Sequence, residues 1–208
     1  MLSNKSISFI LTILITIVIV SCGERKHPAE KVEHTKDYNS PAIVTSEAKK
    51  ILGSDMKFAY KGNFDKDSVV EIAAGTELEN KSEWGIQFYL LKLEKNKLEK
   101  AFQTNLLKGS FKESLTKKIE FPSFNYELIY YNSQDYFLGS GGGEIFSYII
   151  DFKNQKTFYA HLFIEKQKIS LFLSNNIDSS EIKNFFIANF KRDYPNLQIV
   201  SKDVNIDI

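Results

Sequence analysis

Four places in this 208-residue chain carry residue types whose spacing could do chemistry. In Gly62-Asn63-Phe64-Asp65-Lys66-Asp67-Ser68 the oxygen-bearing side chains Asn63, Asp65 and Asp67 alternate. Oxygens at every second position of a tight loop can converge on one hard cation, as calcium requires. The bland alternative is a solvated acidic turn. The second place is Gly139-Ser140-Gly141-Gly142-Gly143-Glu144. Glycines reach positive φ cheaply and let a ligand or another backbone come close. A phosphate cradle would lead into a helix and carry a Lys-Ser/Thr pair, whereas here the strand-like Ile145–Ile150 follows. The stretch therefore reads as a hairpin loop or as a recognition loop on rigid strands. The ligand-binding candidates are Gly141, Gly142, Gly143, Glu144 and Tyr136, with Phe137 beside them.

The third place is His161, within Tyr159-Ala160-His161-Leu162-Phe163. A general base needs a nucleophile and an orienting partner. The chain has no Gly-x-Ser-x-Gly elbow, and its other histidines, His27 and His34, lie far upstream among Glu and Lys. His161 therefore reads as a strand histidine. The 26 acids allow some pair at glycosidase spacing in any fold, but nothing marks one, and no catalytic residue is assigned. The fourth place is Cys22, the only cysteine, which excludes an intrachain disulfide.

The elements that must position these groups are mostly strands. Aromatics are plentiful, with 17 Phe and 10 Tyr against 4 Pro, which favours packed sheet faces. A short capped helix is expected over 45–53, with Thr45 or Ser46 at its start and Gly53 at its stop. Strands are expected at 56–60 and 68–74, at 84–94 with its return at 98–106, and at 126–132 and 136–138. Three more follow at 144–153, 157–166 and 168–174, and the short links between these three admit only antiparallel hairpins. Along 84–94, Trp84, Ile86, Phe88 and Leu90 share one face. The charged stretch 108–123 suits an exposed excursion. Asp178-Ser179-Ser180-Glu181 looks like a capping box, and Ile182, Phe185, Phe186 and Phe190 then make an apolar helical stripe. A last strand is expected within 197–208. The expected fold is α+β: an antiparallel β-sheet meander with a C-terminal amphipathic helix packed on one face. The aromatic richness of 121–137 is read as core; exposed, it would mark a glycan or protein surface.

Ahead of these elements, Lys5 precedes the apolar run Ile7–Val20, and the charged Glu24-Arg25-Lys26 follows soon after. The run suits a secretory core of about 7–15 residues and is short for a span of roughly 20. Its end, Ile19-Val20-Ser21-Cys22, resembles the lipobox of bacterial lipoproteins. The resemblance implies cleavage before Cys22 and diacylglycerol on its sulfur, so that the membrane is a partner through lipid. Each buried CH2 of such chains contributes about 0.8 kcal/mol, and two or three chains hold stably. Gly23 in place of Asp after the cysteine points to the outer membrane, facing the periplasm or the exterior. The division expected is signal peptide 1–21, flexible tether 22–42 and one globular domain 43–208.

Lys5 is the only charge before Cys22, so the 27 basic and 26 acidic residues balance once it is removed. That balance argues against a nucleic-acid partner. Taken whole, the chain is similar to small Gram-negative envelope lipoproteins with no assigned activity. The similarity implies no activity; the expected role is non-enzymatic binding or envelope structure, with an envelope protein or glycan as partner. Three other readings stand beside it: an inhibitor of a secreted enzyme, a calcium-braced adhesion module, and a carboxylate-dependent hydrolase of wall glycan. Residues 62–72 also resemble the start of the calcium-binding hairpins of the FG-GAP and VCBS class, although Lys66 and Ser68 replace its glycines. That resemblance implies calcium on Asn63, Asp65 and Asp67. No other cofactor is implied.

Overall fold

A computed structural model describes residues 36–67, 69–79, 84–112, 114–136 and 141–200, with the backbone alone for 134–136. In chain order the elements are helix α1 (Pro41–Leu52) and strands β1 (Met56–Gly62), β2 (Glu71–Glu79), β3 (Trp84–Glu94) and β4 (Lys97–Gln103). Next come β5 (Ser114–Ile119), β6 (Leu128–Tyr136), β7 (Gly143–Asp151), β8 (Lys156–Glu165) and β9 (Lys168–Leu173). Helix α2 (Ser180–Asp193) and strand β10 (Gln198–Val200) complete the series. The α+β class holds, but the strands form two sheets instead of one. Strands β1-β2-β3-β4 make an antiparallel four-stranded sheet, and β10-β9-β8-β7-β6-β5 make a six-stranded one whose β10 runs parallel to β9.

Burial on both faces of the strands requires this arrangement. In the smaller sheet, Ile72, Tyr89 and Leu91 face α1 through its Val44 and Ala48. The alternate residues Ala73, Ile86, Phe88 and Leu90 face Ile129, Tyr131, Tyr148 and Ile150 of the larger sheet. On the far side of that sheet, Leu128, Tyr130, Ile145 and Ile149 meet Ile182, Phe186 and Phe190 of α2. Successive strand side chains point to opposite faces, so the layers run α1, small sheet, large sheet, α2. A run such as Leu128-Ile129-Tyr130-Tyr131, apolar at both parities, signals a strand covered on both sides. Phe88 anchors the space between the sheets, edge-on to Tyr131 at 5.6 Å and to Phe111 at 6.2 Å. Each such ring contributes about 1.5–3 kcal/mol on burial.

Several elements depart from the sequence reading. Helix α1 begins at Pro41, with proline in its first turn and Ser40 ahead of it making no side-chain cap. Thr45 and Ser46 are therefore inside the helix, and Tyr38, read with the tether, is 7 % exposed under it. Strand β2 runs 71–79 instead of 68–74, and β6 is continuous where two pieces were expected. The stretch read as an excursion contains β5, antiparallel to β6 at the sheet edge, where the exposed Lys117 and Lys118 guard against further pairing. Helix α2 is capped by Ser179, whose hydroxyl accepts from the Ile182 N–H at 3.4 Å. Glu181 does not close a capping box; it accepts from the Ser123 N–H and hydroxyl. Residues 201–208 of the expected last strand lie outside the described residues. No helix among the described residues is long and apolar enough to cross a membrane.

Candidate functional site

The Gly62–Val70 loop joins β1 to β2, and Phe64 pins it. The Phe64 ring is 0 % exposed and meets Phe152 edge-on at 5.8 Å. A second tie is Glu127, which accepts from the Asn63 N–H at 2.7 Å and pairs with Lys118 at 2.6 Å. A side chain at Gly62 would collide with the Glu127 carboxylate and the Phe64 ring, so only glycine passes here. Between these ties the backbone folds on its own side chains. Asn63 Oδ1 accepts from the Lys66 N–H, Asp65 Oδ1 from Asp67, and Asp67 Oδ1 from Val69. Lys66 has a φ of 73°, in the left-handed region where the resembling hairpins carry glycine.

These turns bring Asp65 and Asp67 together, while Asn63 Oδ1 accepts from the Lys66 N–H. The third acid is Glu71, the first residue of β2, and oxygens of Asp65, Asp67 and Glu71 all lie within 4.8 Å of one another. Glu71 pairs across the sheet with Lys92 of β3. Lys92 Nζ donates to Asp65 Oδ2 and, at 2.6 Å, to Asp67 Oδ2, and lies 4.0 Å from Glu71 Oε1. Glu71 Oε2 accepts from the N–H groups of Phe64 and Asp65. Oε1 is buried without a hydrogen-bond partner.

The three acids titrate in different directions. Burial pushes Glu71 up to about 8, helped by the neighbouring Asp65, against the two backbone donors. Burial also disfavours charge on Asp65, but Glu71, Lys92 and the Asp67 N–H outweigh it and hold its carboxyl below the usual range. Asp67 is held low in the same way, with Lys92 and the Val69 N–H outweighing burial. Burial likewise opposes the ammonium of Lys92, yet Asp65 and Asp67 hold its pKa above the usual lysine value.

A second constellation lies at the other end of β7. Glu144 and His161 were read separately, and the sheet register brings them together: His161 Nε2 is 3.0 Å from Glu144 Oε2. The imidazole stacks on Phe146 at 4.6 Å and 8°, with Phe163 and Phe172 at 6.3 and 6.1 Å. All three phenyl rings are half-buried. Burial holds the His161 pKa below the usual range against the pull of Glu144, and Lys108 depresses it further. The side chains are 16 % and 27 % exposed, so the pair presents a polar edge at the rim of an aromatic face.

The glycines frame this edge. Gly143 pairs with Tyr136 in the last rung between β6 and β7, Gly142 is buried, and Gly141 is exposed with a φ of 63°. Phe137, Gly139, Ser140 and Cys22 lie outside the described residues. Sequence reasoning missed Glu71 and Lys92. Lys92 carried a legible signal, since it continues the inward-facing series Ile86, Phe88, Leu90. No family model, curated protein or solved structure matches the chain.

Proposed function

We propose that this is a lipid-anchored protein of the bacterial outer membrane with a non-enzymatic binding role, and that the start of β7 with Glu144, beside His161 of β8, is the surface that meets its partner. The observation that carries the reading is the paired Glu144 and His161 set against half-buried Phe146, Phe163 and Phe172, beside Gly141–Gly143. Rings offer area for stacking, and a carboxylate and imidazole edge offers directional bonds to hydroxyls or amides. Rigid strands hold the edge in place, so binding loses little conformational entropy. The lipobox-like Ile19–Cys22 supports the envelope location.

The test uses the full chain with Cys22→Ser, which removes the anchor and leaves any binding to the domain. That protein should still sediment with washed envelopes, and adding Glu144→Ala should lower its retention by about tenfold, the loss of one good polar contact. Retention unaffected by Glu144→Ala would overturn the assignment of the surface.

A further inference from the structure

Where the start of α1 meets the open edges of both sheets, the chain leaves a cavity of about 430 Å³. Strand β1 ends the small sheet and β5 ends the large one, so each has one edge with no strand beside it. The cavity follows β1 over Ala59–Gly62, with Tyr38, Pro41 and Val44 as apolar lining and Lys118 of β5 among its residues. Its size falls in the range of about 300–1,000 Å³ usual for small-molecule sites, which are mostly apolar with a few placed polar groups. The lining here holds two lysines and no carboxylate. Lys118 is neutralised by Glu127 at 2.6 Å and also donates to the Lys61 carbonyl at 3.0 Å. Lys61 donates to a neutral oxygen, Asn39 Oδ1 at 2.8 Å, and among the described residues it pairs with no carboxylate. Its carbonyl turns away from β2 to meet Lys118. In an antiparallel strand a residue's N–H and C=O point to the same side, and residues two apart agree. The N–H groups of Lys61 and Ala59 therefore also face the open edge.

We propose that this cavity binds a small organic anion, an apolar body carrying a phosphate or carboxylate group. The body would lie against Tyr38, Pro41 and Val44, and the anionic head would meet the Lys61 ammonium and the open-edge N–H groups. Charge decides the class. A cationic ligand would face two ammoniums with no acid in the lining to receive it, and a neutral one would gain little from Lys61. The Lys61 head is exposed and its stem is flexible, so it can exchange the Asn39 amide for an anion oxygen, a stronger, charge-assisted bond. The surroundings are held before any ligand arrives: the Tyr60 hydroxyl donates to the Thr116 carbonyl at 3.0 Å and ties β1 to β5, as Lys118 does at Lys61. Such preorganisation lowers the entropy lost on binding. None of the lining residues belongs to β7, β8 or β9. The site is therefore separate from the Glu144 and His161 surface and does not rest on that reading.

The experiment titrates the full-length chain carrying Cys22→Ser, in mild detergent, with three probes. Phenyl phosphate has both ring and charge, inorganic phosphate has the charge alone, and phenyl glucoside has the ring alone. Phenyl phosphate should bind with a dissociation constant on the order of 10⁻⁴ M by calorimetry and shift the amide NMR signals of residues 59–62. Inorganic phosphate and phenyl glucoside should each bind at least about tenfold more weakly. Lys61→Met keeps the stem and removes the charge, so it should weaken phenyl phosphate about tenfold, whereas Lys61→Arg should retain it. No response to phenyl phosphate up to about 10 mM would overturn the proposal. So would equal binding of either other probe, or unchanged affinity in Lys61→Met. Should the Lys61 variants fail to fold, the ranking of the three probes on the chain without them, together with the shifts at 59–62, decides the matter.

Discussion

Glu71 is sealed against Phe64 and within reach of two other acids, so the sign of its titration sets a pH dependence for the whole fold. Its folded pKa of about 8 stands well above that of an unfolded glutamate. The folded state therefore holds an extra proton in the window between, and stability falls as pH rises through it. Asp65 and Asp67 act oppositely: their lowered values contribute stability above the ordinary aspartate range that is lost as pH falls through it. Glu71→Gln keeps an oxygen for the two backbone donors and removes the charge. In metal-free buffer it should be more stable than wild type at pH 8 by about 2–4 kcal/mol and close to it at pH 5, as read from urea unfolding. A wild-type profile flat between those two pH values would contradict the burial argument. Alternation made Asp65 and Asp67 legible in the sequence, because local spacing alone brings them together. Glu71 and Lys92 meet only through the β2–β3 register, which spacing along the chain does not encode.

At the scale of elements, the loop that carries the acids is ordered by one ring. Phe64 inserts between the sheets next to Phe152, and the loop's remaining ties are polar contacts at a part-exposed surface. Phe64→Ala should cost about 3–5 kcal/mol in denaturant unfolding, as for other buried aromatics. It should also raise amide exchange across 63–70 more than in α2. Uniform loosening of both regions would show that the ring merely fills space. Helix α2 was readable in advance because Ile182, Phe186 and Phe190 recur every four residues. Its cap was misplaced by one residue because Asp178 and Ser179 are both good cap residues; only the fold decides that Asp178 turns to Lys156. The edge strand β5 was missed since its lysines obscure the alternation of a strand that is wet on one side.

For the molecule as a whole, the class was legible and the layering was not. Hairpin links fixed two strand pairings in the larger sheet, β7 with β8 and β8 with β9, because short connections allow nothing else. That β1–β4 form a separate sheet, laid over β6 and β7, depends on which side chains fit between them: Phe88 and Ile86 against Tyr131 and Ile129. Such long-range choices are set by packing and leave no local signature. Two helices then cover the outer faces of the sheets, and the aromatic rim at Glu144 and His161 is the place we propose for a partner. The functional account depends on where the chain is held. Mass spectrometry of the N-terminal peptide from native protein tests this most directly. The account predicts a chain beginning at Cys22 with diacylglycerol on its sulfur. A peptide still beginning at Met1, or a bare thiol at Cys22, would contradict it.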